Sequence, residues 1–489
     1  MSRSYRFLPF RFERVANRVL LVNDVGDFHF LPESSFDALI GRKISPESSE
    51  YLDLKSKNMI WDSHLSNVID LLATKFRTKK QFLYDFTSLH MFVLTRRCNQ
   101  RCSYCHASSV CVENQDVLDM DVSTARKCVD LVFMSPSKSI KIEFQGGEPL
   151  LNFNVLKSIV EYSLELNKKH EKNLEFVVCT NLIALDEDKL EFIKSNKIYI
   201  STSLDGPEYI HDEFRKNRSG EGSYTKVTAN LALAQSSLGH DNISALMTVT
   251  DLSIDHLDEV IDEYIARGLN SIFLRMLNPL GYASSEWNRL GYSVNDFVDA
   301  YAKALDKIIQ INRSGVYFPE MFTTLLLSRI LTPFSTGFVD LQSPAGVGIG
   351  GVIYDTNGDI YVSDEARMLA HSKGDKSFCI GSAHSHSWLE IFGSDRLREI
   401  ISSSCIEALP GCAWCVFQSY CGADPVRNYA VYGDMVGKRP ENDFCRKHKA
   451  IFRVIFEYLA RDDEEIEDIF WSWIVGKPLV ENYTNEAQT

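Results

Sequence analysis

Three closely spaced cysteines constrain this chain more than any other feature; with the spacing C-x3-C-x2-C they are Cys98, Cys102 and Cys105. They follow an apolar run at residues 89–94, which predicts a strand that ends in a metal-binding loop. Three thiolates are one short of the four that close an ordinary iron–sulfur or zinc site. In a cubane the remaining iron is then free to chelate a small molecule, beside which Tyr104 is expected to lie. The alternative is a zinc ion with a distant fourth ligand such as His106.

A second motif favours the open cluster. The strand-like run at residues 140–144 ends in Gln145, Gly146, Gly147, Glu148 and Pro149. Paired glycines after a strand allow backbone groups to approach a ligand closely. The two motifs in this order resemble the signature of radical S-adenosylmethionine (SAM) enzymes. The resemblance implies that the three thiols hold a [4Fe-4S] cluster, that SAM chelates its open iron, and that residues 146–149 hold the methionyl amine of SAM. Gln145, directly before them, is a further cofactor-binding candidate.

Between residue 89 and about residue 279, short apolar strands alternate with amphipathic helices, which indicates a parallel α/β sheet. We predict strands at residues 89–94, 140–144, 175–179, 198–204, 244–249 and 271–275. Six such strands fit a partial (β/α)6 barrel, where catalytic groups come from the carboxyl ends of strands. By resemblance, further SAM-binding candidates at these ends are Asn181, Ser203, Asp205, Arg215 and Arg275. Ser203 and Asp205 are implied near the ribose, and Arg215 near the SAM carboxylate. The alternatives are a plain turn at residues 205–207 and a surface ion pair for Arg215.

A second group of cysteines lies near the C-terminus; its members are Cys412, Cys415, Cys421 and Cys445. C-x2-C-x5-C with a trailing cysteine resembles the SPASM extension of radical SAM enzymes, although a zinc ribbon uses similar spacing. Four thiolates close a cubane completely, so this auxiliary [4Fe-4S] cluster would pass electrons or support the fold and would not chelate SAM.

The chain departs from the full SPASM pattern at the first auxiliary cluster. Ser363 and Pro425 occupy two positions where the family has cysteines, and no cysteine lies between Cys179 and Cys379. We therefore predict one auxiliary cluster, with Cys379 and Cys405 unexplained. Buried thiols are predicted at Cys111, Cys128 and Cys179.

Asp364 follows Ser363, just after a predicted hairpin at residues 352–361. In sulfatase-maturing relatives, a carboxylate directly after this cysteine position is a base that faces the substrate. The resemblance implies the same role for Asp364, and the alternative is that Asp364 caps the following turn.

The first eighty or so residues are predicted to form a unit of their own. Runs at residues 19–22 and 28–31 predict strands, Ser34 or Ser35 is expected to cap a helix through Ile40, and Ser45 is expected to cap another. This winged-helix-like pattern resembles the precursor-peptide recognition element, whose exposed strand edge accepts a leader peptide. The alternative is a structural brace. The predicted domains are residues 1–80, the barrel at 86–315 and the SPASM-like region at 316–489.

Composition limits the partners. The chain has 489 residues, 45% of them hydrophobic, and a net charge of −14, which argues against nucleic acid as the main partner. Neither an apolar run of membrane-spanning length nor a secretory signal is present, so a cytoplasmic protein without a membrane partner is expected.

Across nearly its whole length the chain resembles the radical SAM/SPASM peptide maturases. Residues 6–12 and 23–26 are most similar to the B-type maturase of the His-Xaa-Ser system. This resemblance implies an oxidoreductase that acts on a ribosomally made precursor peptide, commonly by a side-chain crosslink, with flavodoxin or ferredoxin as electron donor. Oxidation of Cys or Ser to formylglycine and a non-catalytic, zinc-bearing peptide adaptor remain alternatives.

Overall fold

A computed structural model describes residues 5–62, 67–105, 109, 118–439 and 441–479. In chain order its strands are β1 (Arg6–Phe7), β2 (Phe10–Val15), β3 (Arg18–Asn23), β4 (Phe28–Leu31), β5 (Ile60–Trp61), β6 (Leu89–Thr95), β7 (Ser139–Gly146), β8 (Asn173–Cys179), β9 (Tyr199–Ser203), β10 (Ile243–Val249), β11 (Leu274–Met276), β12 (Gly351–Tyr354), β13 (Asp359–Tyr361) and β14 (Cys379–Ser382).

The helices follow the same order along the chain. They are α1 (Glu33–Ile40), α2 (Ser49–Ser56), α3 (Val68–Lys79), α4 (Val122–Phe133), α5 (Phe153–His170), α6 (Glu187–Ser195), α7 (Glu208–Phe214), α8 (Tyr224–Leu238), α9 (Leu257–Ala266), α10 (Tyr282–Ser285), α11 (Trp287–Leu290), α12 (Val294–Arg313), α13 (Met321–Leu331), α14 (Asp364–Lys373), α15 (Trp388–Phe392), α16 (Asp395–Ser402), α17 (Pro425–Tyr432), α18 (Asp443–Leu459) and α19 (Glu464–Val475).

The central sheet has the strand order β11-β10-β9-β8-β7-β6-β12-β13-β14. Pairing is parallel from β11 to β12, and the β12–β13 hairpin and β14 are antiparallel. The predicted parallel α/β sheet and the predicted hairpin are therefore confirmed. The last barrel strand begins at Leu274 rather than at residue 271, because the backbone of Ile272 bonds instead to Pro319 and Met321.

The two faces of this sheet differ in polarity. On β7, Ile140, Ile142 and Phe144 are buried in the main core, whereas Lys141 and Glu143 point to the other face. A parallel sheet covered on both faces reads as apolar throughout. The alternation here means that helices cover one face and that the other face lines a cavity.

The N-terminal residues share a core with the C-terminal helices. β2, β3 and β4 form a separate antiparallel sheet, and β3 alternates between two cores. Val19 and Leu21 pack in a small N-terminal core, while Leu20 and Val22 belong to the main core. On that second face the ring of Phe28 lies 5.3 Å from that of Phe456 on α18. This unit is therefore attached to the rest of the protein through a full sheet face.

The first two helices, α1 and α2, begin at residues other than those that the sequence suggested. α1 begins at Glu33, with Pro32 at the N-cap and without a side-chain cap, so the predicted caps at Ser34 and Ser35 were wrong. α2 begins at Ser49 and not after Ser45, because Ser45 lies in a turn. In this turn the Ser45 carbonyl accepts a hydrogen bond from the Ser48 amide. The Ser48 hydroxyl then accepts the Tyr51 amide at 3.2 Å.

The C-terminal helices complete the core beside the sheet. α12 begins with a capping box of Ser293 and Asp296. The Tyr458 hydroxyl of α18 donates to Asp306 at 2.6 Å, and the Trp473 indole of α19 donates to Asn312 at 3.1 Å. In the described part of the chain, none of the helices combines the length and apolar character needed to cross a bilayer.

Candidate functional site

A cavity of about 600 Å³ lies between the cysteine loop, residues 98–105, and the polar face of the central sheet. Most of the predicted site residues line it: Cys98, Cys102, Tyr104, Cys105, Gln145, Gly146, Gly147, Asn181, Ser203, Arg215, Arg275 and Asp364. Residues far apart in the chain thus meet because parallel strands bring their carboxyl ends to one edge of the sheet.

The cysteine loop is held by backbone hydrogen bonds to the segment that follows α7. The Arg101 amide donates to the Lys216 carbonyl at 2.8 Å, and the Arg218 guanidinium donates to the Cys98 carbonyl at 2.7 and 2.9 Å. Burial raises the pKa of Cys102 to about 12. A thiol in this setting becomes a thiolate only with a strong compensating charge, which a bound metal supplies.

The donor set and a glycine cradle fit a cluster with a chelated ligand. A Cβ on Gly146, whose φ is +138°, would lie 2.2 Å from the Thr95 carbonyl oxygen. A Cβ on Gly147 would lie 2.2 Å from the Arg97 carbonyl oxygen. Only glycine therefore allows this loop to pack on the cysteine loop. No three His, Cys, Asp or Glu side chains among the described residues converge as ligands of a single ion. His106 lies outside the described residues.

Glu148 and Pro149 stand behind the cavity wall, since neither lines the cavity. The buried Glu148 carboxylate accepts hydrogen bonds from the Thr180 hydroxyl at 2.7 Å, the Asn181 amide at 2.8 Å and the Leu150 amide at 3.0 Å. Burial raises its pKa, and these donors oppose that shift. The Asn181 side chain in turn donates to the side-chain Oδ1 of Asn99 at 2.7 Å. Glu148 thus fixes the residue next to the cysteine loop.

Asp205 also lies behind the wall, in contact with two residues that line the cavity. It is fully buried and accepts from the Tyr104 hydroxyl and, at 2.8 Å, from Arg215 Nε. The Arg215 guanidinium lies over the Tyr104 ring at 5.3 Å. Arg215 is therefore in a buried ion pair, which corrects the alternative of a surface pair. Burial raises the pKa of Tyr104 well above its usual range.

Asp364 is the first residue of α14 and is held by an arginine. Its Oδ1 accepts from Arg367 Nε at 2.8 Å and Nη2 at 2.7 Å, and Arg367 is only 1% exposed. The alternative that Asp364 caps this helix was wrong, because the Ser363 hydroxyl accepts the Ala366 amide. Asp364 therefore reaches the cavity as an ion-paired carboxylate.

The four C-terminal cysteines affect one another electrostatically. Burial, together with the charges of Cys415, Cys445 and Cys412, raises the pKa of Cys421 to about 12. Their donor chemistry fits a second cluster. Cys379 and Cys405 instead donate to the carbonyls of Gly381 and Ile401, each at 3.4 Å.

The structure corrects one buried thiol and adds polar residues that the motif search missed. Cys128 is fully buried, as predicted, whereas Cys179 lines the cavity and donates to Glu143 at 3.3 Å; Cys111 lies outside the described residues. Further polar residues of the wall are Lys141, Glu143, Glu175, Ser201 and Thr248. The signal that would have found them is the polar alternation along β7, β8, β9 and β10.

Comparisons with known proteins agree with this geometry. The radical SAM superfamily matches residues 92–264. An uncharacterized protein of Methanocaldococcus jannaschii is 33% identical over 255 residues, which are 50% of this chain and 85% of the relative. A cysteine-type anaerobic sulfatase-maturating enzyme of Clostridium novyi is 24% identical, over 75% of this chain and 94% of its own.

Two solved structures share the fold. Native anSMEcpe with bound AdoMet superposes with a TM-score of 0.64 at 20% identity, over 77% of this chain and all of the other. Streptococcus suis SuiB bound to precursor peptide SuiA superposes with a TM-score of 0.53 at 13% identity, over 91% of this chain and 99% of the other. The α/β fold with its mostly parallel sheet is therefore shared with both.

Proposed function

This chain belongs to the radical SAM superfamily, and from that premise we propose that it modifies a ribosomally made precursor peptide, forming a crosslink between side chains. The observation that carries this proposal is the single cavity into which three thiols, two cradle glycines and polar strand ends all face. Its volume of about 600 Å³ suits a cofactor together with part of a peptide. The names of two similar proteins, a sulfatase-maturating enzyme and a precursor-peptide-bound SuiB, support a peptide or protein substrate.

Cys98, Cys102 and Cys105 would hold the cluster, and the strand ends would hold SAM. Bound there, the two supply a radical that removes a hydrogen atom from an unactivated carbon. Gly146 and Gly147 allow the close backbone approach, while Asn181, Ser203 and Arg275 offer hydrogen-bond donors along the wall. Tyr104, fixed by Asp205, closes the cavity beside the cysteine loop. An external one-electron carrier such as flavodoxin or ferredoxin would deliver the electron.

The proposal includes one auxiliary cluster at Cys412, Cys415, Cys421 and Cys445. Of the two residues that stand where the family has cysteines, Ser363 is the N-cap of α14 and Pro425 is the first residue of α17. Reconstituted protein should therefore contain two cubanes, or about eight irons per chain. Iron and sulfide analysis measures this, and a zinc-bearing adaptor is contradicted by the same result. About twelve irons would instead assign a third cluster to Cys379 and Cys405.

A groove in the N-terminal unit suits the leader of such a peptide. It has a volume of about 590 Å³. One side is formed by Pro9 and Arg11, at the start of edge strand β2, and the other side by helix α3. Ile69 and Phe76 on this helix are 61% and 38% exposed. An extended peptide that pairs with a strand edge gains main-chain hydrogen bonds and places alternate side chains in such a groove.

The groove provides a cleaner test than deletion of residues 1–80, because deletion would expose the face that packs on Phe456. We expect Ile69→Glu to lower the rate of peptide modification about tenfold, by removing apolar contact and adding a buried charge. Formation of 5′-deoxyadenosine without peptide should be unchanged. Leu52→Glu is the matched control, since Leu52 is 59% exposed on α2 and outside the groove. Equal effects of the two substitutions on peptide modification would contradict leader binding in the groove and would favour the alternative that the N-terminal unit is a structural brace.

Formylglycine formation is the second candidate, favoured by the Clostridium novyi relative that covers 75% of this chain. Both reactions begin with hydrogen-atom removal and differ in the product. Incubation with small peptides encoded beside the gene, followed by mass spectrometry and an aldehyde-reactive hydrazide, separates them. A hydrazide adduct indicates formylglycine, whereas an unreactive product that resists fragmentation between two residues indicates a crosslink.

A further inference from the structure

A second cavity, of about 380 Å³, adjoins the first. Glu143, Leu246 and Arg275 line both, so the two spaces meet at the polar sheet face. Aromatic side chains form much of its wall: Phe273, Phe297, Phe322, Phe338 and Phe444. None of the residues that the resemblance singled out lies only in this cavity. The second cavity therefore lies beside the predicted cofactor cavity and is not needed to bind the cofactors.

Two side chains at the wall of this cavity, His448 and Glu365, have polar atoms without a hydrogen-bond partner among the described side chains. His448 is 1% exposed, and its Nδ1 donates to the Phe444 carbonyl at 2.7 Å, which leaves Nε2 as an acceptor in the neutral ring. Nε2 has no partner among the described residues. Glu365, the second residue of α14, also receives no hydrogen bond or ion pair from another described side chain. His448 is buried and Glu365 is half-buried, so both groups are placed to accept hydrogen bonds from a ligand in the cavity.

Neighbouring residues Asp364 and Glu365 differ in availability. Oδ1 of Asp364 accepts two hydrogen bonds from Arg367, whereas Glu365 forms no ion pair with another described side chain. Burial raises the pKa of Glu365 to about 7, and the charges of Asp340, Asp424 and Asp364 contribute. The other charged or titratable groups around the cavity are Glu143, Arg275, Arg427, Asp443, Lys447 and His448. A carboxyl that titrates near neutrality suits a general base.

We propose that the second cavity receives the reacting side chain of the peptide and that Glu365, rather than Asp364, takes the proton which this side chain releases. The inference rests on the proposed function and names its base and the class of side chain. The substrate side chain carries an X–H bond, where X is a heteroatom or aromatic ring atom, and the Nε2 of His448 accepts a hydrogen bond from it.

The step balances as follows. The C–H bond of one residue breaks and its hydrogen atom leaves with the SAM-derived radical. The X–H bond of the other residue breaks, its proton goes to the Glu365 carboxylate, and a C–X bond forms. One electron is left over, and an oxidised iron–sulfur cluster would accept it; Cys412, Cys415, Cys421 and Cys445 are the residues that would hold such a cluster. The formylglycine alternative needs the same proton acceptor, since there too an O–H or S–H proton is lost.

The test uses reconstituted enzyme and a uniformly deuterated peptide encoded beside the gene. We expect Glu365→Gln to lower the rate of product formation about 100-fold, while deuterium transfer to 5′-deoxyadenosine changes less than about threefold. Glu365→Asp should recover part of the product. Wild-type product formation should rise with pH through about 7, because only the ionised carboxylate accepts a proton. Glu399→Gln on exposed helix α16 is the matched control.

Two outcomes overturn the inference: product formation by Glu365→Gln within about threefold of wild type, or joint loss of deuterium transfer and product, which indicates a structural role. A wild-type enzyme that neither transfers deuterium nor forms product contradicts the proposed function instead. The inference is then decided by the infrared carboxyl band that Glu365→Gln removes. Titration of this band near pH 7 supports it, and titration below about pH 5, as in an exposed carboxyl, contradicts it.

Discussion

Joint replacement of Cys98, Cys102 and Cys105 by alanine is expected to reduce 5′-deoxyadenosine formation to background. The three thiols line the cavity at the end of β6, where they would hold the cluster. Without them no cluster with an open iron can form there, and the reductive cleavage of SAM loses its electron source. The iron content of reconstituted protein should fall from about eight to about four per chain, because the auxiliary cysteines are untouched. Iron analysis and chromatography of 5′-deoxyadenosine measure the two effects.

Joint replacement of Cys379 and Cys405 by alanine is the matched control. Both thiols bond to backbone carbonyls away from the cavity, so SAM cleavage and iron content should stay at wild-type values. Continued 5′-deoxyadenosine formation in the triple variant would contradict the assignment of the cysteine loop. Loss of all iron in that variant would show that the two clusters depend on each other for assembly.

The parts of the fold that the sequence predicted are those that local pattern determines. The apolar run before Cys98 and the glycines after residue 144 can be recognised without any knowledge of tertiary contacts. The run forms β6, and Gly146 ends β7, which pairs with β6 in the same sheet. The start of β11 was missed because Ile272 bonds to Pro319 and Met321, which are distant in sequence. The start of α2 was missed because Ser45 and Ser48 compete as caps, and the turn between them decides the outcome.

The site was predicted less completely, for the same physical reason. A motif identifies residue types and spacing but not which side chain faces the cavity. Asp205 follows a strand end as expected, yet its carboxylate is used by Tyr104 and Arg215 and lies behind the wall. The second cavity joins residues of β11, α14 and α18, which no local pattern connects. Only the packing of α18 on α12 and α13 brings them together.

Glu148→Gln is expected to weaken SAM binding by roughly 10- to 100-fold, and to lower stability as well. The side chain accepts three hydrogen bonds and donates none. Glutamine has the same shape but turns one acceptor oxygen into an NH2 group, which then faces the Asn181 amide or the Thr180 hydroxyl and Leu150 amide. A buried hydrogen bond to a charged group contributes about 1.5–3 kcal/mol, so its loss is expected to release the 180–181 turn.

The consequence for SAM follows from the position of Asn181. Its backbone amide is bonded by Glu148, and its side chain donates to Asn99 inside the cysteine loop. When the turn moves, the wall of the cavity and the loop that carries Cys98 move together. Equilibrium binding of SAM to reconstituted enzyme and thermal unfolding of the same samples measure the two effects. Glu165→Gln, on an exposed part of α5, is the matched control and should change neither.

The paired readout separates two roles for Glu148. The motif resemblance implies direct contact between Glu148 and the SAM amine, and in that case Glu148→Gln would lower SAM affinity without lowering the unfolding temperature of the SAM-free protein. The buried hydrogen bonds imply that Glu148 positions Asn181, and in that case affinity and SAM-free stability fall together. Asn181→Ala keeps the backbone amide that bonds to Glu148 but removes the side-chain hydrogen bond to Asn99. It should therefore lower the affinity for SAM with a smaller loss of thermal stability. Unchanged affinity in both variants would contradict the positioning role, because neither contact would then reach the cofactor cavity.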